Sequence, residues 1–326
     1  TATVLLVWEG ERGAVRVPSR RLDHRPLEIG RTVSTAGLVL DDAHASRHHA
    51  TIRWRMDGVL IEDHSRNGTF VNGSRIGERA TIADGDVIRL GDSLLVLRMR
   101  PLEQPDDPEV EGLDGDLPGM SALRRGIAAV APTDARVLVL GETSTGKEAT
   151  ARAIHTLSKR SGRFVPVNCA AIPDTLAESQ LFGHVRGAFT DARADHPGFF
   201  RAAERGTLFL DEIGELSPSL QAKLLRALEE RSVVPVGGTR ALPVDVRFVA
   251  ATHRDLGGEG DAGRFHDDLY ARIAEYTLRT VPLRARREDI LPILRGAMGA
   301  DADRISADLA GALLAHDYRF NVRELL

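Results

Sequence analysis

The sequence predicts a multidomain chain in which an all-β sandwich is followed by an α/β P-loop domain, a parallel sheet with helices on both faces. Three stretches predict it. Residues Val4 to Arg98 break into short apolar strands separated by turn residues, the pattern of a sandwich. The run GETSTGKE, Gly141 to Glu148, lies between an apolar strand, Val137 to Leu140, and a helical pattern, Ala149 to Leu157, which is the context a phosphate-binding loop requires. Downstream, the apolar run Thr207 to Leu210 closes on Asp211-Glu212.

At 326 residues the chain has room for two or three domains, each with its own core. A formal net charge of -4 excludes a global basic field for nucleic acid. No uninterrupted 18-residue apolar run occurs, and the start Thr1-Ala2-Thr3 carries no basic signal-peptide region, so a cytoplasmic protein with no membrane partner is expected. The one cysteine, Cys169, excludes an intrachain disulfide and sits among apolar residues as a buried, inert thiol. The missing initiator Met and the stop at Leu325-Leu326 within a helical pattern suggest a piece of a longer chain.

In the β region, strands are expected at Val4 to Trp8, Ala14 to Val17, Ala50 to Arg55, Val59 to Glu62, Val87 to Leu90 and Leu94 to Arg98. Polar punctuation falls at their ends: Gly30-Arg31, Ser46-Arg47-His48-His49-Ala50, Asn67-Gly68-Thr69 and Asn72-Gly73. Loops at one end of a sandwich are where binding residues collect. These pieces resemble a forkhead-associated (FHA) domain over residues 1–100. The resemblance implies phosphothreonine-peptide binding, with Arg31 forking onto phosphate, Ser46 and the 66–67 loop adding donors, Asn67 holding the peptide backbone, Arg47 as a second cation and His49 orienting the loops. Arg66 departs from the small hydroxyl residue common there. His24, His44, His48, His49 and His64 lack metal-ligand spacing and are read as scattered loop histidines. Residues 101–116 form an acidic, Pro-rich linker without Lys or Arg, extended and self-repelling.

The chemistry of the second domain is readable before any family is named. Gly141 and Gly146 let backbone N–H groups turn toward one centre, the helix start adds its positive end, and Lys147 reaches the outer phosphates of a nucleotide triphosphate. Lysine is selected here: among 43 Lys and Arg, only Lys147, Lys159 and Lys223 are lysines. Asp211 at a strand end positions Mg²⁺, and Glu212 polarises the attacking water. Further expected elements are a strand at Phe164 to Val167 ending at Asn168, a helix from Pro218 to Glu230 with Ser217 as N-cap, and a strand at Val246 to Ala251 ending at Thr252-His253.

GETSTGKE, VNCAAI, ESQLFGHVRGAFTDA, GTLFLDEIGELS, VDVRFVAATHRDL and FNVRELL together resemble the AAA+ ATPase domain of bacterial enhancer-binding proteins, the activators of sigma-54 RNA polymerase. The resemblance implies an ATPase core at 117–284 and a small α-helical lid at 285–326. ATP would be held by Gly141, Glu142, Thr143, Ser144, Thr145, Gly146, Lys147 and Glu148, with Thr252 as first sensor and Arg323 as second. Asn168 would restrain Glu212 until the γ-phosphate is sensed. Arg272 matches an arginine finger aimed at a neighbouring subunit's nucleotide in a homo-hexamer or heptamer. The loop Gly187, Ala188, Phe189, Thr190, Asp191, Ala192 would contact sigma-54, and enhancer DNA would be reached only through a C-terminal module beyond this chain. Asp191 replaces a glycine and adds a carboxylate, His266 stands in for the first arginine finger, His253 stands where asparagine is usual, and Arg319-Phe320 replace Pro-Gly. Asp191 and His266 leave a second reading open: a nucleotide-binding, phosphopeptide-responsive regulator that does not drive sigma-54.

Overall fold

Among the described residues, twelve strands build the N-terminal sandwich: β1 Ala2–Glu9, β2 Gly13–Ala14, β3 Ser19–Leu22, β4 Leu27–Gly30, β5 Leu38–Val39, β6 Ala50–Arg55, β7 Gly58–Asp63, β8 Thr69–Val71, β9 Ser74–Arg75, β10 Arg79–Ile82, β11 Val87–Leu90 and β12 Ser93–Arg98. This computed structural model describes residues 2–10, 13–14, 19–34, 36–99, 108, 110, 112–113, 118–256 and 265–326. One sheet runs β2-β1-β12-β11-β8-β9 with β3 beside β1, and the other runs β10-β7-β6-β4-β5. Their facing side chains, among them Val4, Leu6, Ile29, Ile52, Ile61, Ile88 and Leu95, form the sandwich core. The strand expected at Ala14 to Val17 is described only at Gly13–Ala14, and its remainder lies outside the described residues. Strands β4, β5, β8, β9 and β10 are too short to show a period in the sequence; their register comes from sheet neighbours.

The second unit comprises Asp106–Leu113 and Met120–Val281. Its helices are α1 Pro118–Val130, α2 Lys147–Ser158, α3 Asp174–Phe182, α4 Gly198–Ala202, α5 Pro218–Glu230 and α6 Asp267–Ile273; its strands are β13 Val137–Leu140, β14 Phe164–Asn168, β15 Thr207–Asp211, β16 Ser232–Val233, β17 Leu242–Pro243, β18 Arg247–Thr252 and β19 Tyr276–Arg279. The order β14-β15-β18-β13-β19 is parallel throughout. Apolar residues line both faces, Val137, Val139 and Val249 on one and Leu138, Leu208 and Ala250 on the other, as a sheet covered on both sides demands. Ser217 precedes α5 but does not cap it: its hydroxyl pairs with that of Ser219 at 3.2 Å, and the Pro at the first position supplies the helix start. Most of the acidic stretch 101–116 lies outside the described residues. Within it, Val110 and Leu113 are buried beside Leu123, Ile127 and Ile154, and Arg124 Nη1 donates to the Leu113 carbonyl at 2.9 Å.

The first unit comprises Thr1–Pro105, Asp114–Gly119 and Pro282–Leu326, so the C-terminal helices share a unit with the sandwich. These helices are α7 Ile290–Met298, α8 Ala307–Ala315 and α9 Val322–Leu325. Strand β1 is buried along its entire length. Ala2, Val4 and Leu6 face the sandwich core, whereas Leu5, Val7 and Trp8, with Leu94 and Val96 of β12, pack against Ile290, Leu291, Ile305, Leu314 and Tyr318. The guanidinium of Arg98 and the carboxylate of Glu288, both buried, form a bidentate pair, with Nε to Oε1 at 2.6 Å. Among the described residues, no helix is long and apolar enough to cross a membrane.

Candidate functional site

At the carboxyl edge of the parallel sheet, β13 runs into the loop 141–146 and then α2. Ser144 at φ 60° and Gly146 at φ 103° bend the loop into a cup ahead of the helix N-terminus. Gly141 is required for a second reason: a Cβ there would lie 1.8 Å from Thr280 Oγ1. Thr145, buried, donates or accepts across 2.6 Å with that same Thr280 hydroxyl and reaches the Glu142 carbonyl at 2.7 Å, which pins the loop to β19. Lys147, also buried, places Nζ 3.1 Å from the Gly141 carbonyl and 3.2 Å from that of Glu142. Glu148 faces solvent and pairs with Arg152 at 2.8 Å.

Strand β15 delivers Asp211 and Glu212 to this edge, next to Lys147. Burial pushes the Asp211 carboxyl above its ordinary range, Lys147 opposes that, and the Glu212 charge adds to it. Asp211 Oδ1 accepts the Glu212 N–H at 3.0 Å. Glu212 itself is left-handed, φ 53° and ψ 49°, a conformation that costs a non-glycine residue on the order of 1–3 kcal/mol and marks functional positions. Its carboxylate sits between two nitrogen groups, His253 Nδ1 at 2.7 Å from Oε2 and Lys147 Nζ at 3.6 Å from Oε1. Thr252 is fully buried, its carbonyl accepting the Gly141 N–H at 3.2 Å and its hydroxyl the Arg254 N–H at 3.1 Å. Lys147, Asp211, Glu212 and the 252–253 strand end are thus brought together. Asn168 is on the neighbouring strand, where its Oδ1 accepts the Ala170 N–H at 2.9 Å, and the Glu212 side chain meets His253 and Lys147 instead. Burial, then the charges of Asp211 and Glu212, pushes the Cys169 thiol up to about 12, as an inert thiol requires.

Arg272 lies in the last turn of α6, half-buried, its Nε without a hydrogen-bond partner among the described residues. His266 precedes that helix, and its backbone N–H donates to the buried Gln221 side chain at 2.9 Å. Arg323 is carried by α9 of the other unit. The loop 187–192 stands on a base in which His184 bridges both His196 and Val236. It is closed by the Gly187 N–H donating to the Ala192 carbonyl at 2.8 Å and the Ala192 N–H to the Phe189 carbonyl at 3.0 Å. Phe189, partly exposed, rests edge-on against the His184 ring, 4.9 Å between centroids.

The five sandwich residues expected to read phosphate converge on one end. The Arg31 N–H donates to the Ser46 carbonyl at 3.1 Å and its Nε to Ala45 at 2.7 Å, the Arg66 N–H donates to Ser46 Oγ at 3.3 Å, and Asn67 Nδ2 donates to the His44 carbonyl at 3.1 Å. Arg47 belongs to the same turn, whose carbonyl a Cβ on Gly30 would strike at 2.3 Å. His49, fully buried, ties the loops together: Nδ1 accepts the Ser46 N–H at 3.0 Å and Nε2 reaches the Gly68 carbonyl at 3.3 Å. Asp63 ties down the other side by accepting from Ser65 and Thr69; these bonds outweigh burial, which raises its pKa, and hold the carboxyl below its ordinary value. Thr280 and His184 were not legible in the sequence as site residues. Neither sits in a recognisable signal beyond its place, at the end of β19 or just ahead of the 187–192 loop.

A Sigma-54 interaction domain model matches residues 113–279, and an FHA domain model matches residues 27–91. The transcriptional regulatory protein ZraR of Klebsiella oxytoca is 47% identical over 253 residues, covering 74% of this chain and 57% of the relative. The response regulator protein PilR of Pseudomonas aeruginosa is 47% identical over 237 residues, covering 70% and 53%. The chain spans about half the length of these curated relatives. Among solved structures, NtrX from Brucella abortus in complex with ATP superimposes with a TM-score of 0.58 at 35% identity, covering 65% of this chain and 48% of that one. With its FHA sandwich followed by a P-loop domain of this motif set, the chain belongs to the family of sigma-54-dependent transcriptional regulators.

Proposed function

We propose that the chain is the phosphothreonine-responsive ATPase part of a transcription activator, hydrolysing ATP in a ring of its own copies to remodel sigma-54 RNA polymerase. The observation that carries this reading is the meeting of Lys147, Asp211, Glu212 and Thr252 at one sheet edge. Loop N–H groups and Lys147 hold the β- and γ-phosphates. Asp211 would hold Mg²⁺, and the donor set fits: the crowding of Asp211 by Glu212 in a buried place makes ionisation costly, which a divalent cation relieves. Bound there, the metal would neutralise charge building on the phosphates. Glu212 takes a proton from the attacking water, and Arg272, whose buried Nε has no hydrogen-bond partner among the described residues, supplies positive charge to the neighbouring copy's nucleotide. The 187–192 loop, with Phe189 at its tip, presses on sigma-54. The FHA end loops receive a phosphothreonine protein or peptide through Arg31, Ser46, Arg47, Arg66 and Asn67.

Because catalysis needs two copies, specific activity should rise with protein concentration in step with light-scattering mass, and Glu212→Gln should lose roughly 100-fold or more in turnover while still binding ATP. Activity per chain that stays constant as the protein is diluted to monomers would contradict a site shared between copies.

A further inference from the structure

We propose that His253 is the positioning residue for Glu212, holding the proposed base away from Lys147 so that the lysine is free for nucleotide. This inference rests on the ATPase reading and adds a residue to it. A carboxylate only accepts hydrogen bonds, so the 2.7 Å contact requires His253 Nδ1 to carry a proton aimed at Glu212 Oε2. The opposite carboxylate oxygen is 3.6 Å from Lys147 Nζ, close enough to pair and too long for a good hydrogen bond. Glu212 is therefore drawn two ways, and the shorter, better-formed contact is to His253. Rotation onto Lys147 would tie up the ammonium expected to meet phosphate and swing the base from the attacking water.

The placement of His253 is set by the phosphate loop itself. Its neighbour Thr252 ends β18 fully buried, and the Thr252 carbonyl accepts the Gly141 N–H at 3.2 Å. Gly141 is thus linked to Glu212 by one hydrogen bond to Thr252, the peptide bond on to His253 and a second hydrogen bond from the His253 ring. The left-handed backbone of Glu212 fixes the direction in which its side chain leaves the strand and leaves torsions of the side chain alone to choose between the two partners. Asn168, to which the family resemblance gives a restraining role on Glu212, accepts the Ala170 N–H through Oδ1, and its Nδ2, the group that could donate to a carboxylate, makes no hydrogen bond to Glu212.

The test uses the whole chain, a fluorescent ATP analogue for affinity, and steady-state hydrolysis for kcat. His253→Ala is expected to weaken analogue binding about tenfold and to lower kcat about tenfold, the scale of one charge-assisted hydrogen bond. His253→Asn, which keeps an N–H donor near the position of Nδ1, restores both to within about threefold of the parent. In the Glu212→Gln background, His253→Ala leaves affinity unchanged, because the charge competing for Lys147 is gone. Equal loss of affinity with and without Glu212, an Asn variant no better than Ala, or an Ala variant indistinguishable from the parent each overturns the proposal. A parent chain that fails to bind the analogue overturns the ATPase reading as well, whereas a parent that binds and hydrolyses while the His253 variants are silent overturns this inference alone.

Discussion

His49 shows how one buried side chain ties together the loops at one end of the sandwich. Burial lowers its pKa from 6.5, against the pull of the Gly68 carbonyl, Asp63 and Asp42. The neutral ring suits the site: Nδ1 must be bare to accept the Ser46 N–H, and a second proton would face that donor. With the folded-state pKa below the unfolded one, the unfolded chain binds more protons in between. This contribution is therefore complete above pH about 6.5 and is lost as the pH falls from there toward the folded-state pKa. Phosphothreonine-peptide affinity and urea stability of the parent should both decline from pH 7.5 to 5.5. His49→Gln should cost roughly 1–3 kcal/mol at pH 7.5 and show a flatter decline, read by peptide titration and urea melts at both pH values. His49 was legible as a structural residue because the surrounding Ser-Arg-x-His pattern names it. The role of His253 was not, since sequence shows the replacement of an asparagine and only the fold shows what the new nitrogen meets.

Elements inherit their limits from such residues, and the 187–192 loop is an instance. Asp191 stands where the family resemblance expects a glycine, and that exchange can act through lost backbone freedom or through added charge. In the fold Asp191 has no positive φ, whereas Gly187 does, at 83°. The turn closes through Gly187 and Ala192, and Asp191 contributes its carbonyl, which accepts the Arg193 N–H at 2.8 Å. Asp191 thus sits at a φ open to any residue and adds a charge two residues from Phe189. Removing the charge alone should suffice: Asp191→Asn and Asp191→Gly should raise retention of sigma-54 by similar factors, about threefold or more, when a transition-state nucleotide analogue is present. Gain with Gly but none with Asn would restore backbone freedom as the cause. The motif-bearing turns and the central strands were readable because glycine, proline and apolar runs punctuate them. Strands such as Leu38–Val39 and Ser74–Arg75 were not, because two residues carry no period and pairing alone makes them strands.

At the scale of the first unit, the sequence separated a sandwich at 1–100 from a lid at 285–326, whereas the fold gives them a shared core. The signal was present: Val4 to Trp8 is an unbroken apolar run, whereas a strand with one solvated face alternates. Leu5, Val7 and Trp8 were surplus to the sandwich, and α7 and α8 are what cover them. The Arg98–Glu288 pair lies at this junction, and its two halves should fail differently. Glu288→Gln leaves the Arg98 guanidinium, which stays charged at any accessible pH, with the carboxylate of Asp84 at 3.8 Å and the charge of Asp289; it should cost about 3 kcal/mol, and because the titrating group is gone its stability carries no pH dependence from this position. Arg98→Met leaves a carboxyl that burial already pushes above its ordinary value, with the opposing pull of Arg98 removed. A folded-state pKa above the unfolded one gives stability that is present at low pH and lost as the pH rises, so Arg98→Met should be hurt as much at pH 7.5 but recover progressively toward pH 5. Urea melts of the two variants at those pH values, followed by tryptophan emission from the buried Trp8, separate the cases. Parallel pH curves for the two would mean that the pair is not buried between sandwich and helices in solution.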